Sequence, residues 1–132
     1  MNLHNQLSDL SVLRKRINTI FKKEKISDKV LQKDILLVLT ELFVNCVKHG
    51  SHLSGDLIRI TINISKSAIE MIFHDTGHSF DPVIKKPDLS ELPESGFGLF
   101  IVDSLMDTYE YFPKNSERLY NITKLTKIMQ KE

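Results

Sequence analysis

Apolar positions along the chain follow two periods. From residue 8 to 25, Leu10, Leu13, Ile17, Ile20 and Phe21 recur three or four apart. This spacing predicts an amphipathic helix, capped by Ser8 or Asp9, with Arg14, Lys15, Lys22, Lys23 and Lys25 on its polar face. Ser27 and Asp28 offer a second cap, and a long helix is expected over 28–49, stopped by Gly50. The period then changes to two. In "LIRITINIS", 57–65, Ile58, Ile60, Ile62 and Ile64 fall on one face, and "AIEMIFHD", 68–75, reads as its hairpin partner across "SKS". Periodicity lapses from Thr76 to Ser95, where Pro82, Pro87 and Pro93 interrupt the chain, so a long loop is expected there, and such loops usually serve function. Residues 96–107 return to helix. "TYEYF", 108–112, and "ERLYNITKL", 117–125, read as two last strands about "PKNS", with 126–132 as a frayed tail.

Strands that come in pairs, rather than alternating with helices, point to an α+β fold. The expected architecture is a two-layer sandwich with helices on one face of a mostly antiparallel sheet. A chain of 132 residues suits one domain, 1–132, with a single core. Its 41% hydrophobic and 27% charged residues are ordinary for a globular protein, and a net charge of +1 gives no pull toward nucleic acid. No apolar run approaches the roughly 18 residues of a membrane span, and "MNLHNQLSDL" lacks the pattern of a signal peptide. A cytoplasmic location is therefore expected. The single cysteine, Cys46, sits in an apolar run and reads as a small buried hydrophobe.

The long helix carries residues that its burial alone does not require. At about 100° per residue, Ile35, Leu39, Leu42, Phe43 and Cys46 cluster on one side, while Glu41, Asn45 and Lys48 form a second stripe, with His49 between the two. A carboxylate and a carboxamide at the border of a core can hold a hydrated cation and orient a hydroxyl. A lysine there can balance phosphate charge. A solvated polar stripe is the plain alternative. Two further features favour the first reading. "HDTGHSF", 74–80, puts Asp75 at a strand end, where it could accept a hydrogen bond from an exocyclic amine, with Gly77 allowing close approach. "ESGFGLF" puts Gly96 and Gly98 at a helix start, where free backbone N–H groups favour an anion.

These motifs resemble those of the GHKL ATPase superfamily, which includes gyrase and the histidine kinases, over about Leu10 to Thr126. Within it the chain is most similar to the bacterial anti-sigma-factor serine kinases. "ELFVNCVKHG" matches the asparagine box, with its E-x-x-x-N core on Glu41 and Asn45; "DTGHSFDP" matches the D-x-G box; "GFGLF" matches the second glycine box. The resemblance implies the Bergerat ATP-binding fold, with ATP and Mg²⁺ as cofactors. It makes Asn45 the Mg²⁺ ligand and Glu41 the general base or water-orienting residue. Asp75 is expected at the adenine amino group. Lys48, His49, Gly77, Gly96, Phe97, Gly98 and Leu99 are expected around the nucleotide, and residues 78–95 as a lid. "LSVLR", ending at Arg14, resembles a partner-docking helix start. Two departures stand out: His78 and Ser79 replace a further glycine, and the Gly-Thr pair before the last strand is absent, with Arg118 and Leu119 near its place. The N-terminal strand is reduced to a few residues around Leu3.

The resemblance implies a protein-serine kinase that phosphorylates a STAS-type antagonist and sequesters a sigma factor, without direct contact to nucleic acid or membrane. No histidine-phosphoacceptor segment is recognised before the helix pair. Two alternatives stay open: a module that uses ATP to sequester a protein without phosphoryl transfer, and an activating component that binds a phosphatase or stressosome partner. The resemblance leaves homodimerisation open.

Overall fold

The computed structural model describes residues 1–48, 57–77 and 98–129. The described elements run β1 (Asn2–His4), a 3₁₀ turn (Leu7–Asp9), α1 (Leu10–Lys23), α2 (Lys29–Lys48), β2 (Leu57–Ile64), β3 (Ala68–Asp75), α3 (Gly98–Leu105), β4 (Thr108–Phe112) and β5 (Asn121–Ile128). The five strands form one sheet in the order β1-β2-β3-β5-β4, with every neighbouring pair antiparallel. This is the α+β sandwich that the strand pairing predicts.

Strand parity decides what the sheet buries. On β2, Ile58 and Ile60 are buried, with Ile62 and Ile64 packed at the border. On β3, Ile69, Met71, Phe73 and Asp75 point the same way and are buried. The helices answer with Leu13, Ile17 and Phe21 from α1, Ile35, Val38, Leu39, Leu42 and Phe43 from α2, and Val102 from α3, all in one apolar cluster. Burying side chains of this size contributes roughly 1.5–3 kcal/mol each, which holds the helices to one face of the sheet.

Of the expected side-chain caps, the one on α2 forms and the one from Asp9 on α1 does not. Asp28 caps α2: its Oδ1 accepts from the N–H groups of Val30 at 3.0 Å and Leu31 at 3.1 Å. Asp9 does not cap α1 with its side chain. Its carboxylate turns back to the N-terminal segment, where Oδ2 accepts from His4 N at 2.8 Å and Oδ1 from Gln6 Nε2 at 2.8 Å. Helix α1 ends before Lys25, which takes a left-handed backbone with φ of 56°. The Ile26 N–H then reaches back to Phe21 O at 2.9 Å, closing a Schellman turn without glycine.

The two ends of the sheet depart from the periodic pattern. Leu3 is buried and pairs with Ile58, so the few residues around it form a true edge strand. The last strand is shifted: it starts at Asn121 rather than 117 and continues to Ile128. The expected fray at 126–132 is corrected for 126–129, because Thr126, Lys127 and Ile128 pair with Glu70, Ile69 and Ala68, and Met129 N donates to Ser67 O at 2.7 Å; residues 130–132 lie outside the described residues. Backbone pairing to a central strand holds these residues where side-chain periodicity gives no signal. The expected lid, 78–95, and the helix stop at Gly50 lie outside the described residues.

Candidate functional site

Asp75 continues the core-facing row of β3, so its carboxylate ends up buried at the strand terminus, only 6% exposed. A carboxylate in that position needs donors. Oδ1 accepts from Gly77 N at 3.0 Å and from Asn121 Nδ2 at 3.1 Å. Oδ2 faces the Cys46 thiol, at 3.8 Å from sulfur. Burial, and then the nearby Asp75 charge, push the Cys46 thiol well above its ordinary pKa, so it stays protonated and can donate. Cys46 is therefore more than the small hydrophobe its apolar surroundings predict: it joins α2 to the end of β3.

On the same stretch of α2, Glu41 and Asn45 are half-buried and lie near the start of α3. Gly98 opens α3, and a Cβ built on it would lie 2.6 Å from Glu41 Oε2 and 4.0 Å from Asn45 Nδ2. The expected anion-favouring helix start is thus set against the expected cation and base residues. Leu99 follows it and packs its side chain against the core. The structure therefore brings Gly98 against Glu41 and near Asn45, and brings Asp75, with Gly77, against Cys46 on the same helix. Lys48 is exposed at the end of α2, and Arg14 is exposed on α1, away from the cluster in sequence and element. His49, Gly96 and Phe97 lie outside the described residues.

Sequence patterns did not single out Asn121. It is fully buried at the start of β5, directly opposite Asp75 in the sheet register. Its Nδ2 donates to Asp75 Oδ1 and, at 2.9 Å, to Gly77 O; its Oδ1 accepts from Lys114 N at 2.9 Å. Lys114 also donates through Nζ to Thr76 O at 3.2 Å. Arg118 and Leu119, which stand near the place of the missing Gly-Thr pair, do not enter this network. Arg118 closes the β4–β5 connection by donating to Tyr120 O and Pro113 O, and Leu119 is exposed. The signal for Asn121 was parity: it shares the inward face of β5 with Thr123 and Leu125.

The donor set suits a hard cation only in part. Among the described residues there is no cluster of three or more metal-ligating His, Cys, Asp or Glu side chains. A half-buried carboxamide beside a carboxylate does fit Mg²⁺, which keeps several waters and takes oxygen from phosphates rather than from a full protein cage. An open groove of about 990 Å³ lies at another part of the molecule, between the α1–α2 connection, the β2–β3 turn and the end of β5. None of the predicted site residues among those described lines it. No helix among the described residues is long and apolar enough to cross a membrane.

Comparison with known proteins agrees with this fold. A family model described as "Histidine kinase-like ATPase domain" matches residues 3–127. The chain is 25% identical over 134 aligned positions to Serine-protein kinase RsbW of Staphylococcus aureus strain MSSA476, covering 93% of this chain and 81% of that protein. Among solved structures, the mycobacterial sensor histidine kinase MprB has a similar fold, with a TM-score of 0.57 at 13% identity, over 97% of this chain and 96% of that one. The Acinetobacter baumannii histidine kinase AdeS has a TM-score of 0.54 at 15% identity, over 99% of this chain and 68% of that one. With the family model spanning nearly the whole sequence, and with the α2, Asp75 and Gly98 elements converging as they do, the chain belongs to the histidine kinase-like ATPase domain family.

Proposed function

We propose that this protein is an ATP-dependent protein-serine kinase and anti-sigma regulator, which phosphorylates a STAS-type antagonist and sequesters a sigma factor. The observation that carries the reading is the convergence on residues 41–46 of α2. A buried carboxylate that could take a base amine lies against Cys46, and a glycine-opened helix start lies against Glu41 and near Asn45. The similarity to Serine-protein kinase RsbW supports serine as the acceptor.

In this reading Asp75 accepts a hydrogen bond from the 6-amino group of adenine. The backbone amides at the start of α3, with Gly98 and Leu99, meet the phosphates, where the helix dipole favours negative charge. Lys48, His49, Gly77, Gly96 and Phe97 complete the nucleotide contacts. Asn45 would ligate Mg²⁺, which neutralises phosphate charge when bound. Glu41 orients the attacking serine hydroxyl and takes its proton as oxygen attacks the γ-phosphorus and the bond to ADP breaks. Arg14, on the exposed basic face of α1, contacts the protein partner.

The test is transfer of labelled phosphate from ATP to the cognate antagonist, with ATP affinity measured in parallel. Glu41→Ala should lower transfer by roughly 10²- to 10⁴-fold, the usual worth of a positioned general base, with little change in affinity. Normal transfer by this variant would sink the catalytic assignment. Tight ATP binding without any transfer by the wild type would favour a sequestering module instead.

A further inference from the structure

The hydrogen bonds around Asp75 use its two oxygens unequally. Oδ1 accepts from two donors, Gly77 N and Asn121 Nδ2, whereas Oδ2 has only the long contact to the Cys46 thiol among the described residues. We propose that Asn121 is a positioning residue that fixes Asp75 with Oδ2 toward the base, and so sets preference for a 6-amino purine. This rests on the nucleotide reading above.

The orientation of the Asn121 amide is settled by its neighbours. Among the described residues its Nδ2 faces the acceptors Asp75 Oδ1 and Gly77 O, and its Oδ1 faces the donor Lys114 N. Turned over, the amide would set oxygen against two oxygens and nitrogen against an N–H, so only one orientation is compatible with the site. The side chain is fully buried, so no water competes for these bonds. It ties together the end of β3, the turn at Gly77 and the β4–β5 connection, and these are the parts that fix the direction of the carboxylate.

The consequence is chemical. With Oδ1 already occupied, Asp75 offers the base one acceptor in one direction. An exocyclic amine can donate to it. A 6-oxo purine would set a carbonyl oxygen against it, and an unsubstituted purine would leave it unpaired. Replacing Asn121 by Asp sets two carboxylates edge to edge at the same point and removes both donated bonds. Asp75 then keeps only the Gly77 N–H on Oδ1, and like-charge repulsion turns it away from its native direction.

The test measures affinity for ATP, GTP and purine riboside triphosphate, which lacks the amine, by calorimetry. Wild type should prefer ATP over purine riboside triphosphate by roughly 10- to 100-fold. In Asn121→Asp that ratio should fall toward one, mainly through weaker ATP binding. Asn121→Thr, which keeps one donor, should fold and retain an intermediate ratio. A residue with a merely structural role would lower the melting temperature and weaken all three ligands alike. A wild-type ratio in either folded variant overturns the inference. Absence of ATP binding by folded wild type overturns the nucleotide reading and this inference with it.

Discussion

The Glu41 carboxylate stands against the bare Cα of Gly98: a Cβ there would come within 2.6 Å of Oε2 and 3.6 Å of the carboxyl carbon. The neighbour is the end of a flexible side chain, so Gly98→Ala should fold and should move Glu41 aside. Misplacing a reacting group by about 1 Å can cost roughly 10²-fold in rate. Phosphoryl transfer should therefore fall by about that factor, while a thermal melt stays close to wild type. Unchanged transfer would show that the contact does not set the position of Glu41.

Asn45 shares that corner, with its Nδ2 4.0 Å from the same Cβ position. Asn45→Ala should abolish the gain in ATP affinity that Mg²⁺ gives over a chelator, and phosphoryl transfer should be lost with it. Titrating ATP into the variant with Mg²⁺ and with EDTA tests this. A preserved difference between the two conditions would remove Asn45 from the metal role.

Tyr109 gives a prediction independent of any ligand. Its phenol is half-buried, its hydroxyl finds no partner among the described residues, and burial pushes its pKa up to about 12. The native state therefore holds this proton more tightly than the unfolded chain, whose tyrosine titrates near 10. The resulting stability is complete below about pH 10 and is lost as pH rises through 12. Allowing for partial exposure, it amounts to about 1 kcal/mol, or roughly 3–5 °C in melting temperature. Tyr109→Phe should flatten that part of the pH profile. Equal slopes for variant and wild type between pH 9 and 12 would contradict the assignment.

The left-handed Lys25 gives a stabilising change. A side chain with φ of 56° costs about 1–2 kcal/mol, of which the greater chain entropy of glycine takes back part. Lys25→Gly should raise stability by roughly 0.5–1 kcal/mol, measured by urea unfolding. A loss of stability would mean that the lysine side chain contributes more than its backbone costs.

Local physics made much of this protein legible before any tertiary contact was known. Period-two alternation placed β2 and β3 to within a residue, because a strand with one buried face must alternate. The period of 3.6 placed α1 and α2, and the stripe on α2 singled out Glu41 and Asn45, since polar residues beside a buried face call for a reason. What the sequence left undecided depended on partners distant in the chain. Strand β5 extends to Ile128 because β3 supplies the backbone pairing for residues 126–128, 56 to 60 residues before them, and no local pattern encodes that pairing. The closeness of Gly98 to Glu41 depends on how α3 packs against α2. Asn121 reads from sequence as an ordinary polar residue near a turn. It becomes the holder of Asp75 only because antiparallel register sets the two opposite one another, 46 residues apart, on the buried face of the sheet. Periodicity tells which way a side chain points; register and packing decide what it meets there.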